Sequence, residues 1–260
     1  MMKHAIRAAL TAAIAFALTL GAGAQTATQA STAQAATGQP KSGEKTVEEA
    51  YLQESAEAAM VKELSHEDGL EAKQLALDYA RRGVDAGRKS DDVRSSLQYL
   101  ALENTEVVVR SGGVGATTNN FPDIRRQACI LLGNFPSAES KDTLVRVLRN
   151  SKAEDPMVLA EAIRSLGKIG MNDNDEVVQS IADSVSHFDN VGMSEDRLAV
   201  YTLFALSDLA EKSHGLKDMD LVTSTVMKFT KGSYIKAVRD LAQQTLDKLS
   251  AYQTQNSAKQ

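Results

Sequence analysis

The sequence predicts an all-α fold, an α-solenoid of stacked antiparallel helical hairpins, and three observations carry the prediction. First, four twelve-residue segments align without gaps: IRRQACILLGNF from Ile124, VLAEAIRSLGKI from Val158, LAVYTLFALSDL from Leu198 and VRDLAQQTLDKL from Val238. Each has Leu at its ninth position (Leu132, Leu166, Leu206, Leu246), at offsets of 34, 40 and 40 residues, the size of a two-helix repeat unit. Second, a further amphipathic segment follows each of the first three, over 137–149, 175–188 and 218–229. Third, the composition suits close helix packing: 5% aromatic residues, no Trp and four Pro in 260 residues.

Taken in chain order, the N-terminus reads as a targeting segment. Lys3, His4 and Arg7 precede an uncharged run from Ala8 to Leu20, and Gly21-Ala22-Gly23-Ala24 ends in an Ala-x-Ala pattern. This is the three-part layout of a secretory signal peptide, with cleavage expected between Ala24 and Gln25. As a helix the uncharged run would reach about 20 Å, short of a ~30 Å hydrocarbon core. Residues 25–43 are Ala, Thr, Gln and Ser with almost no large apolar side chain, so they are expected to form a disordered linker. Thr46-Val47-Glu48-Glu49 is a capping box that should start a helix running to about Leu64. Further helices are expected over 65–83 and 90–109. The domain plan is a signal peptide (1–24), a linker (25–43), N-terminal helices capping the solenoid (44–110), the repeat domain (111–252) and a disordered tail (253–260).

Within each repeat the first helix carries its apolar residues on one face, as with Ile124, Ala128, Leu131, Leu132 and Phe135. The fifth position reads Ala128, Ala162, Thr202, Ala242, and the twelfth reads Phe135, Ile169, Leu209, Leu249. Asp155 before Pro156 gives a cap followed by proline in the first helical turn, and Ser194 before Glu195 and Asp196 gives a second start signal. No helix of a pair can bury its apolar stripe alone, and stacking of neighbouring hairpins buries all of them.

These residues resemble the HEAT-repeat family. Ile124-Arg125, Ala128 and Leu132-Gly133 follow its Val-Arg, Ala and Leu-Gly landmarks, and Asp155-Pro156-Met157-Val158 is similar to the opening of the bacterial variant named after phycobilin lyases. Val238-Arg239 and Ser165-Leu166-Gly167 repeat parts of the pattern, whereas Val158-Leu159, Leu198-Ala199 and Ser207 depart from it. The resemblance covers residues 121–252 and implies a HEAT-like scaffold for protein–protein contact. It also implies that the second helices, here 139–149, 175–188 and 218–231, line the concave face. Off their apolar stripes these carry Arg146, Arg149, Gln179, Asp183, His187 and Lys228, the expected partner-binding residues.

Other features point to no chemistry. Ser111-Gly112-Gly113-Val114-Gly115 lacks the Gly-Lys-Ser/Thr ending of a phosphate loop and reads as a flexible connection. His66, His187 and His214 have no second His or Cys at metal-ligand spacing, so no metal site is expected. Cys129 is the only cysteine and lies in an apolar helix, so it reads as a buried structural thiol without a disulfide. Arg81-Arg82 and Arg88-Lys89 could meet an acidic partner, but read first as solvated or helix C-terminal charge. No catalytic constellation and no cofactor-binding set is found. The formal charge is −5; without Lys3 and Arg7, 27 basic residues stand against 34 acidic ones, giving −7. That balance disfavours nucleic acid as a partner.

The expected function is therefore a non-enzymatic exported scaffold, periplasmic or secreted, for an unidentified protein partner, with no transmembrane segment in the mature chain. The alternative is an accessory or lyase-like enzyme component related to the phycobilin-lyase HEAT proteins, which rests on fold analogy.

Overall fold

The computed structural model describes residues 46–103, 105, 119–151, 154–190, 195–213 and 216–257. The expected signal peptide, the linker, the glycine loop 111–115, His214 and the Ser194 cap lie outside these residues. The described residues form ten α-helices: α1 (Val47–His66), α2 (Leu70–Asp85), α3 (Asp91–Leu102), α4 (Pro122–Leu132), α5 (Ala138–Arg149), α6 (Pro156–Ile169), α7 (Glu176–Asn190), α8 (Asp196–Lys212), α9 (Met219–Lys228) and α10 (Lys236–Ser257), with a 3-10 turn at Asp173–Asp175 before α7.

Local signals set most of these boundaries. At α1 the Thr46 hydroxyl accepts from the Glu49 amide at 3.2 Å, and the Glu49 carboxylate accepts from the Thr46 amide at 3.1 Å. Asp155 accepts from the Met157 amide at 2.8 Å, with Pro156 opening α6. Gly170, at φ 75°, ends the same helix in the left-handed region that an L side chain resists. The turn before α7 places Asn174 and Asp175 at φ 51° and 62°, a conformation that Asn and Asp tolerate best among residues with a Cβ. Asp175 is buried there. It accepts from Asn172 Nδ2 at 2.8 Å and from the Asp218 amide at 2.6 Å, which ties the start of α7 to the start of α9.

The helices form two layers of an α-solenoid. The even-numbered helices pack in the order α2, α4, α6, α8, α10, and the odd-numbered ones in the order α1, α3, α5, α7, α9. A continuous core runs between the layers from Ala58 to Leu249. The four aligned segments are α4, α6, α8 and the first half of α10. Their fifth-position residues, Ala128, Ala162, Thr202 and Ala242, are all fully buried. Gly133 and Gly167 follow the landmark leucines where adjacent even helices cross. A Cβ on Gly133 would stand 2.7 Å from the Ser165 Oγ.

Three boundaries differ from the sequence expectation. α1 continues to His66, so α2 begins at Leu70 rather than near Ser65; Gly69 and an extended Glu67 separate them. α3 ends at Leu102, where Glu103 turns extended and places its carboxylate on Lys73. α10 remains helical to Ser257, past residue 252 where a tail was expected. Once a helix is anchored, each further residue adds a hydrogen bond at little cost, and Gln253 and Gln255 oppose this weakly.

Candidate functional site

The six residues expected on a partner surface lie on three consecutive helices of the odd layer. Arg146 and Arg149 are exposed on the last turn of α5, Gln179 and Asp183 are exposed on α7, and His187 and Lys228 are half-buried. Spacings of four residues put Gln179, Asp183 and His187 on one face of α7. The structure brings four of the six together. Arg149, Gln179, Asp183 and His187 line one groove of about 520 Å³ between α5 and α7, with Leu148, Ser151, Glu176, Ser180 and Ser186. Lys228 joins it from α9 by donating to the Ser186 hydroxyl at 2.6 Å. Arg146 is one turn from Arg149 on α5 but does not line the groove.

The groove has a firm base. Buried Ser184 donates across it to the Leu148 carbonyl at 3.1 Å, joining α7 to α5. Lys141 of α5 holds Glu176, the groove residue at the start of α7. Its ammonium reaches Asp173 at 3.1 Å and makes a short hydrogen bond to Glu176, and that bond holds its pKa well above the ordinary lysine range. Arg149, exposed at the end of α5, lines the groove and makes no ion pair among the described residues. The lining thus combines a cation, two carboxylates, three hydroxyls, an amide and an imidazole, which can donate and accept along an extended polar chain.

A second hollow, of about 480 Å³, opens at the start of the even helices. Pro122, Asp123, Arg126, Asp155, Met157 and Arg197 line it. Nearby, Glu161 is buried in α6 within electrostatic reach of Arg126, Arg197, Lys168 and Arg164. Burial raises its pKa above the usual 4.5, and those cations only partly oppose the shift.

The remaining candidates have structural positions. Cys129 is fully buried, and loss of solvation pushes its thiol far above the ordinary range, so the reactive thiolate is absent at neutral pH. His66 stacks on Tyr99 with ring centroids 4.2 Å apart. Arg81 donates to Gln127 at 2.6 Å, Arg82 lies over the Tyr79 ring, and Arg88 pairs with Glu57 at 2.5 Å. Three of the basic residues that read as solvated charge therefore hold neighbouring side chains. Among the described residues, no group of three or more His, Cys, Asp and Glu could hold a metal ion. None of the helices described is long and apolar enough to cross a membrane.

Sequence reading missed the buried polar pairs. Arg125 donates twice to Glu154, at 2.9 and 2.7 Å, and Glu154 also accepts from the Asp155 amide. Lys73, fully buried, pairs with Glu103 at 2.9 Å and donates to the Ser65 carbonyl at 3.1 Å. Arg125 did carry a signal, as the Arg of the Ile-Arg landmark. Lys73, Lys141 and Glu103 carried none.

A family model described as HEAT repeats matches residues 114–190, which span α4 to α7 and the whole groove. No curated protein matches the chain.

Proposed function

We propose that the chain is an exported, non-enzymatic scaffold for protein partners, and that the groove between α5 and α7 is its partner surface. One observation carries this reading: Arg149, Gln179, Asp183 and His187, from two helices of one layer, line a single open groove inside the segment that matches HEAT repeats. HEAT repeats commonly serve as interaction scaffolds, because stacked hairpins present extended surfaces that no single helix could. The mixed lining favours an extended polar segment of a partner, with Arg149 as its strongest anchor. Arginine is enriched at binding hot spots.

Export rests on Lys3 and Arg7, the uncharged run to Leu20 and the small residues through Ala24. Cleavage there would leave residues 25–43 as a polar leader ahead of the stack, in the periplasm or outside the cell. N-terminal sequencing of mature material tests this: Gln25 is expected first, and an intact Met1 would refute it.

The partner surface is tested by charge reversal. Arg146→Glu with Arg149→Glu should leave helicity and melting nearly unchanged, since exposed charges contribute little to stability. The same pair of changes should abolish capture of the native partner. Undiminished capture would remove the groove from the account.

A further inference from the structure

α1 ends the stack. Its substantial packing is against α2 and α3 alone, and it turns Ala58, Val61 and Ser65 toward them. Among the described residues, nothing packs on its opposite face. Glu48, Tyr51, Leu52, Ser55, Ala59 and Lys62 are all exposed and recur at the three- and four-residue spacing of one helical stripe. Val47 is 87% exposed, Tyr51 69%, Leu52 67% and Met60 47%; these are four of the nine large apolar side chains left exposed among the described residues. Val47, Tyr51 and Leu52, with Glu48 at the edge, form an apolar hollow of about 400 Å³. A terminal hairpin that stays solitary needs a polar outer face. α10 meets that need by placing exposed Asp247 where α4 and α6 are followed or interrupted by Gly. α1 does not meet it.

The order of residues along the stripe specifies what covers it. The N-terminal half is bulky and acidic, with Glu48, Tyr51 and Leu52. On the stripe itself the C-terminal half is small and basic, with Ala59 and Lys62, and exposed Glu63 lies at its edge. We propose that α1 is a self-association helix, which pairs antiparallel with α1 of a second copy about a twofold axis at Ser55. In that register Glu48 meets Lys62 of the other copy, each seven positions from Ser55, and Tyr51 meets Ala59, each four positions away. Bulk falls on small residues and charge falls on opposite charge. A parallel pairing would set Glu48 against Glu48 and Tyr51 against Tyr51, so it is disfavoured. Within one copy Lys62 is only loosely engaged: Asp92 stands 3.9 Å away, and both side chains are about two-thirds exposed. Because the interface is isologous it closes at two copies. A single helix pair buries less than a standard interface, so the dimer is weak and concentration-dependent.

Light scattering and sedimentation equilibrium on the full chain over a concentration series test the proposal. A reversible monomer–dimer equilibrium is expected. Leu52→Glu should abolish it. Glu48→Lys and Lys62→Glu should each weaken it about tenfold, since symmetry applies each change twice, and the double reversal should restore it. Ser55→Cys should link two copies on mild oxidation, and buried Cys129 cannot compete. All these positions are exposed, so unchanged circular dichroism separates lost association from lost folding. A chain that stays monomeric throughout would overturn the proposal. So would a dimer indifferent to Leu52→Glu, or a Ser55→Cys variant that links only to a different protein in the cell envelope.

Discussion

Gly167 of α6 lies so close to Ala205 of α8 that a Cβ built on it would stand 2.6 Å from the Ala205 Cα. Gly133 bears the same relation to Ser165, one repeat earlier. In both, the tenth residue of one aligned segment meets the eighth of the next, so the small residue after the landmark Leu sets how closely successive hairpins approach. Gly167→Ala should therefore cost about 1–3 kcal/mol, because the obstacle is backbone and cannot rotate away. Gly232 has nothing within 4 Å of its virtual Cβ and no positive φ, so Gly232→Ala should be neutral or slightly stabilising. Denaturant melts of the two variants check the contrast.

Leu166 is fully buried while Lys168, two residues on, is exposed. Leu166→Ala should cost about 2–5 kcal/mol, as expected for a leucine cavity in a packed core, and Lys168→Ala less than about 0.5 kcal/mol. Equal and negligible losses in urea melts would refute the repeat register.

Arg125 clamps the α5–α6 connection through its paired hydrogen bonds to Glu154, and both side chains are almost fully buried. Arg125→Ala would strand a buried carboxylate, at a cost of about 3–5 kcal/mol. Arg125→Met combined with Glu154→Leu should cost much less than the sum of the single changes. A double-mutant cycle measures the coupling; additive losses would contradict the clamp.

Glu161 holds its proton more tightly in the folded chain than in the unfolded one, because burial raises its pKa. Wild-type stability should therefore fall, relative to Glu161→Gln, as pH rises from the ordinary carboxylate value through the raised one. At neutral pH the Gln variant should melt higher, and below about pH 4 the two should converge. Melting the pair from pH 3.5 to 7.5 checks the sign.

The layer plan was legible because it rests on local periodicity. Leu132, Leu166 and Leu206 are at most 1% exposed, as the alignment requires. Leu246, the fourth landmark, is only partly buried, and among the described residues α10 is the last helix of the even layer. The six residues expected to bind a partner could be read as positions off the apolar stripes, but not that four of them share one groove. That depends on how far α5 stands from α7, which neither helix encodes alone. The buried pairs were illegible for a related reason. Arg125 and Glu154 are 29 residues apart and Lys141 and Glu176 are 35 apart, so only the stacking register brings them together.

The central claim is that a protein partner occupies the groove between α5 and α7. Site-specific photo-cross-linking in the native cell tests it most directly, with the reactive group placed at Gln179 in the groove and, separately, at Lys168 on the even layer. A discrete protein adduct is expected from position 179, lost on Arg149→Glu, and none from position 168. Adducts from position 168 alone, or adducts from 179 that survive Arg149→Glu unchanged, would contradict it.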